Sequence, residues 1–163
     1  MSGDAMIEGG IIEDGAHHYG LRIYFEDTDA GGIVYHASYL RFAERARTEA
    51  LRAMGLPHSE MMLRHGMIFV VRRVELDYQR PARLDDWLVV ETSPVAIGGA
   101  SAALRQTIRR GGEVLVIADV TLVSVRQATG RADRIPSAWR AALTDMAHAR
   151  GAARDASGNR GVS

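Results

Sequence analysis

The stretch Tyr24-Phe25-Glu26-Asp27-Thr28-Asp29-Ala30-Gly31-Gly32-Ile33-Val34-Tyr35-His36-Ala37-Ser38-Tyr39 divides two segments of opposite periodicity, and that contrast decides the fold class. Before it, Leu21, Ile23 and Phe25 alternate with Arg22, Tyr24 and Glu26, the period-two pattern of a strand. After it, Tyr39, Phe42, Ala43, Ala46, Ala50, Leu51 and Met54 form one apolar stripe over Ser38 to Met54. Such a helix is about 25 Å long at 1.5 Å per residue. Arg45 and Glu49 stand at i,i+4 on its polar side, and Gly55 and Pro57 punctuate its end.

Downstream the period changes again. A helical turn around Ser59 to Arg64 leads to Gly66, after which Ile68, Val70, Val74, Leu76 and Tyr78 fall on one strand face and Arg73, Glu75, Asp77 and Gln79 on the other. Pro81 ends that run. Trp87 to Glu91, Ala102 to Arg109 and Val114 to Val125 read as three more strands, with Gly98-Gly99 and Gly111-Gly112 where hairpins need positive φ. Ser137 to Ala147, opening after Pro136, reads as a short C-terminal helix. The order predicts an α+β fold with a mostly antiparallel five-stranded sheet around one long helix. One helix cannot cover both faces of five strands, and Val114 to Val125 is apolar on both, so a homo-oligomer is expected.

Composition bounds the chemistry. The 163 residues fit a single domain, predicted over 19–149, with a Gly- and acid-rich leader over 1–18 and a tail over 150–163 expected to be flexible. All 20 basic residues are Arg. Without Lys or Cys, Schiff-base, thiolate and Cys-metal chemistry are excluded, and the cytoplasm is the simplest address. A formal charge of zero argues against non-specific nucleic-acid binding. No apolar run is long enough to span a bilayer, and the start of the chain carries no secretory-signal pattern. His17-His18 makes a poor metal cage, so no metal is expected.

The chemistry is expected in the Asp27–Ser38 loop. Gly31 and Gly32 let backbone approach a ligand, and the helix start supplies free N–H groups and the positive end of a dipole. Asp29, the acid nearest the glycines, faces that donor set. A carboxylate opposite an oxyanion hole suits hydrolysis of an activated acyl group such as a thioester. Asp27 reads as a turn acid and Asp119, inside an apolar strand, as one half of a cross-strand pair. Arg72, in phase with Val70 and Val74, needs a partner: a coenzyme A phosphate or a carboxylate of another subunit, unless a local bulge turns it outward. Arg105, Arg109 and Arg110 are the alternative phosphate contacts.

The run Phe25 to Glu49, FEDTDAGGIVYHASYLRFAERARTE, with VVRR at Val70–Arg73 and PARLDD at Pro81–Asp86, resembles the 4-hydroxybenzoyl-CoA thioesterase family of hotdog-fold enzymes. Within that family it is most similar to the acyl-CoA thioesterases associated with the Tol-Pal envelope system. The resemblance covers about residues 19–140. It implies a sheet wrapped around a central helix, assembled as a dimer of dimers. It also implies hydrolysis of an acyl-CoA with no separate cofactor, since coenzyme A is part of the substrate. Asp29 then matches the catalytic aspartate, and His36 the residue whose backbone N–H polarises the carbonyl and whose side chain, a histidine in the most similar subfamily as well, assists catalysis. Where some relatives carry tyrosine, this chain has Phe25 beside Tyr24. Tyr39, Phe42 and Ala43 are expected to set the acyl pocket. The same resemblance leaves a non-catalytic alternative, a module that binds acyl-CoA or acyl carrier protein at the inner membrane face.

Overall fold

A computed structural model describes residues 8–158, and the ends of the expected leader and tail, 1–7 and 159–163, lie outside the described residues. The elements are β1 (Ile11–Glu13), β2 (Ala16–Arg22), α1 (Ser38–Ala53), α2 (His58–His65), β3 (Met67–Tyr78), β4 (Trp87–Ile97), β5 (Ser101–Arg110), β6 (Glu113–Arg126) and α3 (Ser137–Gly158). The strands form one antiparallel sheet ordered β1-β2-β4-β5-β6-β3. The α+β plan with one long inner helix is as expected, with six strands instead of five.

The extra strand comes from the stretch read as leader. β1 and β2 form a hairpin within 11–22, and Ala16 and His17 are fully buried. The packed region therefore begins before residue 19. It also ends later: α3 runs through Gly158, past the expected boundary at 149. The first strand stops at Arg22. Leu21 and Ile23 point into the core as the alternation implies, but Phe25 is 81% exposed and opens a 3-10 turn, Phe25–Asp27.

The α1 stripe does what its spacing requires. Tyr39, Phe42, Ala43, Ala46, Ala50 and Leu51 are buried, and the first half packs with Leu21, Ile23, Leu88, Val90, Ile108, Leu115 and Val116. Small alanines let the helix lie close to the sheet. Glu49 pairs with Arg52 at 2.8 Å rather than with Arg45. Gly66 caps α2 at φ +62, the left-handed conformation that allows its N–H to reach the Met62 carbonyl at 2.9 Å. β4 continues through Pro94 beyond the expected end at Glu91, because a register shift between Pro94 and Ala96 absorbs the missing N–H.

His17 sits in β2 with its Nε2 donating to the Gly9 carbonyl at 2.7 Å and its Nδ1 without a partner among the described residues. Burial lowers its pKa below the ordinary 6.5, and the same cause, joined by Arg47 and Arg52, lowers that of His58. The folded chain thus resists protonation at two imidazoles that the unfolded chain protonates freely. The unfolded state binds more protons below pH 6.5, so stability is full above that value and declines as pH falls. A thermal melt is expected to show a lower Tm at pH 5.5 than at pH 7.5; an equal or higher Tm at pH 5.5 would contradict this.

Candidate active site

The loop between the 3-10 turn and α1 folds back on itself as a narrow hairpin. Asp29 N–H donates to the Ile33 carbonyl at 2.9 Å, Tyr35 N–H to the Asp27 carbonyl at 2.9 Å, and Thr28 pairs with Val34. A second set of bonds ties this hairpin to the segment after β3: Val34 N–H reaches the Ala82 carbonyl at 2.9 Å, and Ile33 bridges Arg83. Asp27 is buried and structural, its Oδ2 accepting from the Tyr24 N–H at 2.8 Å and its Oδ1 lying 3.6 Å from Arg41. It is the turn acid expected from the sequence.

Asp29 lies exposed at the hairpin tip. Its Oδ1 accepts the Gly31 N–H at 2.8 Å, while its Oδ2 has no protein partner among the described residues. One oxygen therefore holds the carboxylate in place and the other is available for chemistry. The two glycines shape this tip. A Cβ on Gly31 would stand 3.1 Å from Asp29 Oδ1, and Gly32 has φ +78. Their own N–H groups are engaged within the hairpin: that of Gly31 on Asp29 Oδ1, and that of Gly32 on the Asp29 carbonyl at 3.1 Å.

His36 differs. Among the described residues its backbone N–H donates to nothing, and Ala37, the N-cap of α1, offers no side-chain cap. The Ser38 N–H is taken by the Tyr35 carbonyl at 2.9 Å, so the His36 N–H is the donor left over beside the helix start, where the helix dipole favours negative charge. The exposed His36 ring leans on Tyr35 at 4.5 Å. Tyr24, 62% exposed, precedes the 3-10 turn as its N-cap and flanks the same loop.

Tyr78 is the residue that sequence reading missed here. It lies 42 positions from His36 in the chain, yet its hydroxyl donates to the His36 carbonyl at 2.9 Å. It also stacks edge-on against Tyr39, with ring centres 5.7 Å apart. Reading as one more apolar position of β3, it gave no local signal. Tyr78→Phe removes one hydrogen bond worth about 1 kcal/mol that fixes the backbone at His36. The expected result is a fall in kcat of about five-fold with KM for an acyl-CoA nearly unchanged, read from initial rates of thiol release.

The other expected contacts lie elsewhere. Tyr39 is 2% exposed and its hydroxyl accepts the Ala82 N–H at 3.0 Å, so it anchors the hairpin from inside rather than lining a pocket. Phe42 and Ala43 are equally buried. A cavity of about 350 Å3 opens further along α1. Arg72 is the extra residue of a bulge between Val71 and Arg73, which breaks its phase with Val70 and leaves it exposed. It stands about 20 Å along β3 from Tyr78 at 3.3 Å per residue. Arg105 and Asp119 are cross-strand neighbours joined by two hydrogen bonds of 2.9 and 3.1 Å, the pairing expected for Asp119. Arg109 pairs with Glu91, and Arg110 with Asp86 and Glu113. Because Arg105 is already satisfied, Arg105→Ala is expected to leave KM for an acyl-CoA within about two-fold and stability within about 1 kcal/mol, as for other exposed ion pairs. Steady-state kinetics and a urea melt check both.

Among the described residues, no group of three or more His, Asp or Glu side chains could hold a metal ion, and no helix is long and apolar enough to cross a membrane. The thioesterase superfamily model matches residues 31–117. The chain is 41% identical over 112 residues to acyl-CoA thioesterase YbgC of Haemophilus influenzae, covering 69% of this chain and 82% of that protein. It is 44% identical over 104 residues to acyl-CoA thioester hydrolase YbgC of Escherichia coli O6:H1, covering 60% and 77%. The structure titled "Probable Thioesterase from Bartonella henselae" superposes with a TM-score of 0.70 at 36% identity, over 74% of this chain and 99% of that one. With a model that matches from Gly31 through α1, α2, β3, β4 and β5 into the start of β6, this chain belongs to the thioesterase superfamily.

Proposed function

We propose that this chain hydrolyses acyl-CoA thioesters to the free acid and coenzyme A, with Asp29 as the catalytic carboxylate and His36 N–H as the oxyanion donor. One observation carries the reading: an unclaimed carboxylate oxygen and an unclaimed helix-start N–H belong to the same pinned loop. The similarity to proteins named acyl-CoA thioesterase supports it.

In the general-base path, Asp29 Oδ2 takes a proton from water as the oxygen adds to the thioester carbonyl carbon. The carbonyl π electrons move to oxygen, and the His36 N–H and the α1 dipole hold that charge. Collapse breaks the C–S bond, and the coenzyme A thiolate leaves and is protonated. In the nucleophilic path, Asp29 Oδ2 itself attacks, the thiolate leaves, and water then cleaves the mixed anhydride. Both need the same two groups. A panel of short, long and aromatic acyl-CoA substrates, assayed by free-thiol release, tests the function; no release with any of them would refute it.

A self-assembled protein fits the surface. β3 is an edge strand, and Val70, Val71, Val74 and Tyr78 are between 37% and 48% exposed along it. Edge strands this long and apolar are normally covered. A second copy is the proposed cover, a dimer of dimers the proposed assembly, and Arg72 on that edge is the remaining candidate for a coenzyme A phosphate or a carboxylate of the partner. Work in the cytoplasm, at the inner membrane face beside the Tol-Pal system, is the proposed setting. The rival reading, an inactive module docking acyl carrier protein, draws less support. Arg105, Arg109, Arg110, Arg126 and Arg150 are all committed to carboxylates of this same chain and are not free for an acidic partner.

A further inference from the structure

A second set of polar groups lies along α1, away from the loop. Arg47 is half-buried, and its Nη1 donates to Gln106 Oε1 at 2.9 Å. Gln106 is fully buried, and its amide donates in turn to the Ala43 carbonyl at 2.8 Å and to Thr92 Oγ1 at 3.0 Å. This chain of hydrogen bonds fixes the guanidinium in place. No carboxylate oxygen lies within 4.0 Å of it among the described residues, whereas Arg105, Arg109, Arg110 and Arg126 on the sheet are ion-paired.

Arg47 stands at the wall of the 350 Å3 cavity, whose body is apolar: Leu51, Met54, Leu104, Leu122, Leu143 and Met146 line it, with Val70 and Val71 on the β3 side. That volume falls in the range of small-molecule sites. Glu44, one turn before Arg47, also lines the cavity, but it is exposed and beyond ion-pair distance of Arg47, attracting it only at longer range. His58, also on the wall, is held below its ordinary pKa of 6.5 and so is neutral at pH 7. Arg47 is therefore the one cation on the wall, and it still has N–H groups to give. A half-buried guanidinium without a contact ion pair is costly, and a carboxylate accepting two of its N–H groups offsets that cost.

We propose that this cavity binds a monocarboxylate with a linear apolar tail, its carboxylate on Arg47 and its tail among the leucines and methionines. The cavity wall shares no residue with the Tyr24–Tyr39 loop. Arg47 lies about 13 Å along α1 from Ser38 at 1.5 Å per residue, so the site is distinct from the hydrolytic one. A carboxylate with an apolar tail is also what hydrolysis of an acyl thioester releases. Occupancy by product rests on the function proposed above; the binding itself does not.

Calorimetric titration of the full chain at pH 7.5 with octanoate and, separately, with octanol tests the proposal. Octanoate is expected to bind at one site per chain, at least ten-fold more tightly than octanol, and Arg47→Met to erase that preference. Asp29→Asn, which removes the hydrolytic carboxylate, is expected to leave octanoate affinity unchanged. Val71→Phe, placed on the half-exposed wall, is expected to weaken both ligands together. Equal affinity for octanoate and octanol in the unaltered chain overturns the proposal without any variant. Loss of octanoate binding in Asp29→Asn overturns it too, by placing the ligand at the loop.

Discussion

Asp29→Asn is expected to lower kcat for acyl-CoA hydrolysis by about 10² or more, the scale of a positioned general base or nucleophile. The substitution is close to isosteric, and an asparagine Oδ1 can still accept the Gly31 N–H that now holds the carboxylate at 2.8 Å. The hairpin, the glycine at φ +78 and the start of α1 should therefore keep their geometry. What disappears is the negative Oδ2 that takes the proton or attacks the carbonyl. KM should move little, because the acyl and coenzyme A contacts are untouched, and circular dichroism should match the parent protein. Free-thiol release at the parental rate would remove Asp29 from the mechanism. Asp29→Glu keeps the charge but extends it by one methylene from a loop too tightly bonded to follow, so it should recover only part of the rate.

Trp139→Ala is expected to destabilise the fold by about 3–5 kcal/mol, the range for emptying a large aromatic site from a core. Trp139 is 1% exposed at the start of α3 and packs with Leu51, Met61, Met67, Ile135 and Leu143. Its Nε1–H donates to the Leu56 carbonyl at 3.0 Å, and its ring meets His65 edge-on at 5.5 Å. It therefore ties α3 to the end of α1 and to α2, and its loss leaves both a void and an unpaired carbonyl. Urea unfolding should show the midpoint falling with little change in m. Trp139→Phe, which keeps most of the volume but not the N–H, should lose less. A loss below about 1 kcal/mol for the alanine variant would mean that α3 is not part of the cooperative core.

Local pattern was informative wherever one face of an element does all the packing. The α1 stripe was readable because its Ala, Phe and Leu positions recur on the helical period while Arg41, Glu44, Arg45 and Arg52 are exposed. The sheet strands followed from alternation and from paired glycines at 98–99 and 111–112, where β4 turns into β5 and β5 into β6. Alternation misled at two places for different reasons. At Phe25 the capping of a 3-10 turn by Asp27 overrode the strand period. At Arg72 a bulge inserted one residue and moved the side chain off the face that counting by two assigns to it. The β1–β2 hairpin was hidden because glycines and acids, which resemble a loose leader, here form the tight turn that brings His17 into the core.

The order of elements, the α+β class and the choice of Asp29 in a glycine-bearing loop before a helix were determined by the sequence alone, since each rests on contacts between neighbours along the chain. The tertiary structure decided which donors remain free: the Gly31 and Gly32 N–H groups are consumed within the hairpin, and that of His36 is not. It also decided that Tyr39 anchors the loop from within, that Tyr78 reaches His36 across 42 residues, and that Arg105 is paired while Arg47 is not. Hydrogen bonds and ion pairs of this kind join residues brought together by strand register. A one-residue shift in register turns every side chain to the opposite face, so no local pattern can specify them.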